Sequence, residues 1–274
     1  MAARAGISRA QPAGVLGAAR VPRRSRPLEG DAVLVVTLTS DFGEGSPYVA
    51  ALKAAVLASC PDAVLVDVTH SLEPFAIDSA SFVLWAGTRH FEPGSVHLAV
   101  VDPGVGTARR ALALSADGRF YVGPDNGLFA VVVEEAQSIS AVELQRPPGA
   151  SPTFEGRDLF APSAARLSRG EALESLGSKV EISALAPAVA SGPRVVWVDR
   201  FGNLVLSLRP PVRPLRLGGV LVEELARTFG EAPPGIPFCY EGSMGRLEIG
   251  VRNGRADSVI GVGVGARVED SETS

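Results

Sequence analysis

The sequence predicts an α/β N-terminal domain with a mostly parallel sheet, followed by a smaller all-β C-terminal domain. Three observations point there. Runs rich in Val, Leu and Thr alternate with segments of helical apolar spacing between residues 32 and 102, the pattern of βαβ units. From 194 to 269, short apolar runs are punctuated by Gly and Asn turns. Between them lies a Pro- and Ala-rich stretch, SALAPAVASGP at 183–193, which reads as a linker. The predicted organisation is an N-terminal extension over 1–31, an α/β domain over 32–182, the linker over 183–193 and a β-rich domain over 194–270.

The extension carries six arginines between residues 4 and 26 and no acid before Glu29. Its apolar run is too short for a secretory signal; it has the charge bias of a transit peptide, and we read it as a disordered extension. AVLVVTLTSDF at 32–42 is the first strand, rich in β-branched residues. SPYVAALKAAVLASC at 46–60 follows as a helix, with Val49, Leu52, Val56 and Leu57 at helical spacing. AVLVDVTH at 63–70 is the next strand, IDSASFVLWAGTRHF at 77–91 the next helix, and SVHLAVVD at 95–102 the third strand. Strands linked by helices form a parallel sheet covered on both faces. After FYVGPDNGLFAVVVEEA at 120–136 the pattern shifts, and a polar link, QRPPGASPTFEGRD at 145–158, leads into a helix over 159–170. The GVGVG at 261–265 reads as strand and turn, because no helix follows it to complete a phosphate site.

Composition narrows the function. At 274 residues and 46% hydrophobic, the chain can bury a large core, and its formal charge of −4 gives no basic footprint for nucleic acid. No apolar run reaches the length of a membrane span. Cys60 and Cys239 are far apart and in no CxxC motif, so neither a disulfide framework nor a zinc site is implied and a cytoplasmic location is expected. The dinucleotide fingerprint begun by Gly104 and Gly106 fails at Arg109, and neither Lys53 nor Lys179 sits in a Walker loop. His70, His90 and His97 lack metal-ligand spacing. No metal and no cofactor are expected; His70, at a strand end, reads as a turn-stabilising residue.

In an open parallel sheet, ligands bind beyond the carboxyl ends of the strands. Asp41 in TSDFG and Asp102 in VVDPGVG both lie at such ends and therefore face one crevice, although each could equally serve as a helix cap or Asx turn. In VVDPGVGTARR at 100–110, Pro103, Gly104 and Gly106 suffice to turn the chain, which leaves Asp102 and Arg109 without a turn role.

Seven blocks running in order from about 33 to 268 carry a resemblance: TLTSDFG with PYVAALKAAV, VDVTHSLEPF, VHLAVVDPGVGTARR, VGPDNGLF, TFEGRDLFAPSAARL, VDRFGNLVLSL and GRLEIGV. Together they resemble the S-adenosylmethionine hydroxide adenosyltransferase family, relatives of the fluorinase and chlorinase. The resemblance implies an enzyme that splits S-adenosylmethionine with water into adenosine and L-methionine. It also implies a homotrimer, with the ligand between the N-terminal domain of one subunit and the C-terminal domain of the next.

Residue by residue, the resemblance places Asp102 and Arg109 in the water-handling set. The third member, a histidine in a TFHGRD block, is Glu155 here. Glu155 then either contacts water in the histidine's place or is structural, a solvated loop acid or a partner for Arg157, and a second carboxylate beside Asp102 is expected to raise the pKa of one of the two. The resemblance further gives Asp41 the ribose hydroxyls, Phe75 and Phe229 the nucleoside faces, Asn203 an adenine edge, Asp199 the methionine ammonium and Ser243 the methionine carboxylate. Where the fluorinase would have tyrosine, threonine and serine, this chain has Asp102, Val105 and Gly156, and an anionic Asp102 disfavours a halide. The alternatives are a nonenzymatic S-adenosylmethionine or adenosine binding protein, and a halogenase.

Overall fold

The opening strands lie where the apolar runs place them. β1 (Val35–Ser40), β2 (Val64–Thr69) and β3 (Val96–Val100) pair in parallel, with β1 in the middle. The computed structural model describes residues 35–270, so the extension expected over 1–31 lies outside the described residues. α1 (Pro47–Ser59) starts at Ser46, whose hydroxyl accepts the Tyr48 N–H, and Pro47 opens its first turn. It buries Val49, Leu52 and Val56. α2 (Ile77–Thr88) returns the chain on the other face of the sheet, burying Phe82 and Leu84.

The sheet is mixed, which corrects the expectation of a mostly parallel one. β4 (Ala111–Ala116) and β5 (Arg119–Pro124) form an antiparallel hairpin, and β5 inserts between β4 and β3. α3 (Ala130–Glu135), β6 (Ile139–Leu144), α4 (Ala161–Ser168) and β7 (Gly177–Val180) follow, in the strand order β2-β1-β3-β5-β4-β6-β7. The first three neighbour pairs are parallel and the last three antiparallel. The cause is a two-residue turn at Asp117 and Gly118, both at positive φ (48° and 79°). A turn that short can join only antiparallel strands, since a parallel pair needs a crossover of a dozen residues or more.

Both faces of this sheet are covered. Leu52 and Val56 of α1 and Ala164 and Leu167 of α4 pack with Val36 and Leu98 on one side. Leu84, Leu128, Phe129 and Val132 pack with Ala99, Leu112 and Tyr121 on the other. His97 sits inside the sheet, bonded to Thr37 Oγ1 (2.9 Å) and Ser95 Oγ (3.1 Å). Burial, with the Arg119 cation adding to it, lowers its pKa to about 3, so it packs as a neutral ring.

The C-terminal half is strand-rich. β8 (Val195–Val198), β9 (Leu204–Leu206), β10 (Leu215–Leu217), β11 (Val220–Val222), β12 (Glu224–Leu225), β13 (Pro237–Glu241), β14 (Leu247–Val251) and β15 (Val268–Asp270) build a five-stranded and a three-stranded sheet. It is not all-β as expected, because Ala256–Ile260 forms a short helix, α5, burying Ala256 and Ile260 at i, i+4 spacing. Gly261 ends α5 in the left-handed conformation (φ 76°) and donates its N–H to the Asp257 carbonyl. The GVGVG stretch is therefore a helix cap and turn, with no strand before Val268.

The halves meet at α2, where Phe82 packs against Val196, Val205 and Trp197, with ring centroids of Phe82 and Trp197 6.0 Å apart. Between them, Ala186 donates its backbone N–H to Asp125, and Val189 and Ala190 donate theirs to Asp78. Among the described residues, no helix is long and apolar enough to cross a membrane.

Candidate active site

The loop after β3 turns on Gly106, at φ 78°, where a Cβ would stand 2.9 Å from the Pro152 carbonyl oxygen. That close approach presses the loop against the segment leading to Glu155. Asp102 opens the loop and Arg109 closes it. The Arg109 guanidinium donates from Nε to Asp102 Oδ1 at 2.8 Å and from Nη2 to Asp102 Oδ2, a bidentate grip. Nη2 also donates to Glu155 Oε2 at 2.5 Å, and the guanidinium lies over the Phe160 ring, 5.4 Å from its centroid.

Asp102, Arg109 and Glu155 are thus brought together, with side chains only 5%, 8% and 3% exposed. The reading of Glu155 as a solvated loop acid or a partner for Arg157 does not hold, since it is buried and Arg157 pairs with Asp158 instead. Glu155 leads into a π-helical turn, Gly156–Phe160, that continues into α4. Such turns are rare and tend to mark functional sites.

The expected pKa conflict takes an unexpected form. Burial disfavours the Glu155 carboxylate, but hydrogen bonds and charge from Arg146 and Arg109 outweigh burial and hold its pKa below the ordinary value. For Arg109, burial likewise opposes the charge, and Asp102 and Glu155 reverse the balance and raise its pKa. Two carboxylates coexist here because Arg109 bridges them and Arg146 pairs with the other oxygen of Glu155.

Beside this cluster is a cavity of about 530 Å³, within the range of small-molecule sites. Asp41, Phe75, Val100, Asp102, Val105 and Glu155 line it. Asp41 Oδ2 accepts the Phe75 backbone N–H at 3.1 Å, and Phe75 stands at φ 67° and is 66% exposed as a residue. A bulky residue in the left-handed region is strained, so the contact to Asp41 holds an aromatic ring at the cavity mouth at a conformational cost. Asp41 is itself steadied from below: the Gly43 N–H bonds to the His70 carbonyl at 2.8 Å, and buried His70 Nδ1 meets Ser40 Oγ at 2.7 Å. His70 stabilises the turn, as expected.

Two features, one in the cavity and one behind Glu155, escape sequence reasoning. Phe42, Tyr48 and Phe154 form an aromatic wall, with centroids 5.2–6.1 Å apart and Phe154 edge-on to the other two. The other is Arg146, which reaches Glu155 from the proline-containing link. The signal for the wall was local, since Phe42 adjoins Asp41 and Phe154 adjoins Glu155.

The four C-terminal residues singled out by the resemblance do not line this cavity. Asp199 accepts from the backbone N–H groups of Phe201 and Asn203 and from Asn203 Nδ2, all at 2.8 Å. Phe229 is 39% exposed and packs edge-on against Phe238 and Tyr240. Ser243 borders a separate depression with Arg89 and Glu241, and its carbonyl accepts from Arg89 Nη2 at 3.0 Å. A single chain therefore holds two groups, Asp41, Phe75, Asp102, Arg109 and Glu155 in one and Asp199, Asn203, Phe229 and Ser243 outside it. Among the described residues, no group of three or more His, Cys, Asp or Glu is placed to hold a metal ion.

Comparison with known proteins bears on this geometry. Residues 36–177 match the family model of the SAM hydroxide adenosyltransferase N-terminal domain, and residues 193–269 that of the C-terminal domain. The (R)-S-adenosyl-L-methionine hydrolase of Thermus thermophilus is 43% identical over 252 residues, 85% of this chain and 98% of that protein. A conserved Thermotoga maritima protein of solved structure superimposes with a TM-score of 0.77 at 32% identity, covering 85% of this chain and 98% of its own. The fluorinase of an Actinoplanes species is more distant, 28% identical over 267 residues, 78% of this chain and 90% of its own. The fold, the cavity and these matches agree: the chain belongs to the SAM hydroxide adenosyltransferase family.

Proposed function

We propose that this protein is an S-adenosyl-L-methionine hydrolase that forms adenosine and L-methionine by attack of water on the 5′ carbon. The observation that carries the reading is the buried Asp102–Arg109 pair on the wall of a cavity large enough for a nucleoside. In the reaction a bond forms between the water oxygen and C5′, and the C5′–S bond breaks. Its electron pair stays on sulfur as a neutral thioether, and the proton of the water passes to Asp102 and on to solvent. Because the leaving group is neutral, the reaction asks for no general acid and no cofactor; it asks for an oriented, desolvated nucleophile in line with the C–S bond.

Asp102 supplies the acceptor. Each of its oxygens receives one Arg109 donor and keeps a second lone-pair direction for water. Glu155 pairs each oxygen with a different arginine, and we give it the task of fixing the guanidinium that fixes Asp102. A halide in place of water would sit against the Asp102 carboxylate, an electrostatic penalty that disfavours halogenation.

Asp41 grips the ribose hydroxyls and Phe75 lies along the nucleoside. We place Asp199, Asn203, Phe229 and Ser243 on the adenine and the methionine from a neighbouring copy, in a homotrimer. What supports this is that these four lie outside the cavity of their own chain, while Phe75 and Phe229 present exposed rings. Buried, unpaired Cys60 and Cys239 fit a reducing cytoplasm.

Incubation with each sulfonium epimer of S-adenosyl-L-methionine in heavy-oxygen water tests the reaction. Both epimers are needed because the Thermus thermophilus relative is named for the (R) form. The expected product is adenosine carrying the label at its 5′ oxygen. Binding of adenosine without release from either epimer would leave a binding protein, and a 5′-halogenated nucleoside formed in chloride would leave a halogenase.

Asp41→Ala is expected to weaken adenosine binding by about 1–3 kcal/mol, the scale of hydrogen bonds to a charged group. The change also frees the Phe75 N–H from its acceptor, so the loss should fall at the upper end. Calorimetry reads it directly, and an unchanged affinity would move ribose recognition elsewhere.

A further inference from the structure

Glu155 is 2% exposed as a residue and has two cations against it, not one. Arg109 takes Oε2. Oε1 is taken by Nε of Arg146, two residues past the end of β6, whose Nη2 also donates to the backbone carbonyl of Arg109 at 2.9 Å. Arg146 therefore touches both halves of the arrangement that orients Asp102, the carboxylate that braces Arg109 and the backbone that carries it. It does not line the cavity, so it acts through its neighbours.

The charges show why the second arginine matters. Asp102 and Glu155 both lean on Arg109 Nη2, and one guanidinium cannot offset two buried carboxylates. The other charged groups close to Glu155 are Arg157 and Asp158 on its own helical turn, and they are spent on each other through two hydrogen bonds. Among the described residues, Arg146 is the group that balances the cluster at two negative and two positive groups. Without it, Glu155 would gain stability by taking up a proton, and a neutral Glu155 would no longer brace Arg109.

We propose that Arg146 is a positioning residue for hydrolysis: it keeps Glu155 available as the brace of Arg109, and so keeps Asp102 aimed at the attacking water. The proposal rests on the hydrolase reading. It also gives Glu155 a different place from a water-contacting histidine, because a glutamate in this position works only with Arg146 beside it.

The test compares kcat and KM against pH for wild type, Arg146→Met, Glu155→Gln and the double variant, with adenosine release as the readout. In Arg146→Met, kcat at neutral pH is expected to fall about ten-fold with KM little changed, and the acid limb of the profile to move up by about 1 pH unit or more. In the Glu155→Gln background no buried carboxylate needs Arg146, so the same Arg146→Met change is expected to alter kcat by no more than about two-fold. A purely structural role would lower kcat equally in both backgrounds and leave the acid limb in place, and either result overturns the proposal. Should Arg146→Met not fold, Arg146→Gln, which keeps a polar donor but loses the charge, is run in the same two backgrounds with the same contrast expected. Wild type that releases no adenosine overturns the hydrolase reading and this proposal with it. Active wild type beside an indistinguishable Arg146 variant overturns this proposal alone.

Discussion

Asp102→Asn is expected to lower the rate of adenosine release by about 10²–10⁴-fold, the range for a group that accepts a proton in the transition state. The amide keeps the shape of the carboxylate and loses its charge. It also turns one acceptor into a donor, and that donor would face Arg109 Nε or Nη2, both of which donate to Asp102 in the native protein. Arg109 then has one good carboxylate left, Glu155, and the water site loses its anchor. Adenosine affinity should change little, because the grip on the nucleoside proposed for Asp41 and Phe75 does not involve Asp102. Single-turnover release of adenosine and calorimetric binding, measured on the same preparation, separate the two effects. Turnover equal to wild type would remove Asp102 from the chemistry.

Arg109→Met is expected to abolish turnover and to cost about 3–5 kcal/mol of folding stability at neutral pH, the scale for breaking a buried ion pair by removing one partner. Asp102 and Glu155 would be left without the cation they share, and among the described residues Arg146 alone would still pair with one of them, Glu155. The pH dependence has a definite sign. In the native protein the Glu155 pKa is depressed, so its contribution to stability is present above the unfolded value and is lost as pH falls through the lower folded value. In the variant the like charges push at least one carboxyl upward, and protonation relieves the repulsion. The stability gap between wild type and Arg109→Met should therefore be widest near neutrality and narrow toward about pH 4, where carboxylates take up protons. Urea unfolding at the two pH values reads the gap, and a gap of constant size would mean that the loss is one of packing over Phe160 and not of charge.

Local pattern alone was enough for several parts of this protein. The β-branched runs at β1, β2 and β3 and the apolar spacing of Val49, Leu52 and Val56 follow from 2-fold and 3.6-fold periodicities that any short window displays. Asp102 and Arg109 stand out locally as residues the glycine turn does not need, and the resemblance sets them together; seven residues apart around that turn, their side chains meet directly. The hairpin of β4 and β5 is also written locally, in Asp117–Gly118 between alternating residues, but the βαβ rhythm that precedes it masks the signal.

What only the tertiary structure decided is where charge is buried and what balances it. Glu155 stands 46 residues from Arg109, and Arg146 stands 37 residues from the carbonyl it holds, in a link whose sequence marks nothing but a turn. From the chain alone, Glu155 was as plausible a solvated acid as a working one. From the chain alone, Asp199 and Asn203 also gave no sign that they bond to each other within one loop, away from the cavity. Secondary structure depends on neighbours in sequence, whereas the ionisation and aim of a buried carboxylate depend on desolvation and on charges a few ångströms away in space, whichever strands deliver them.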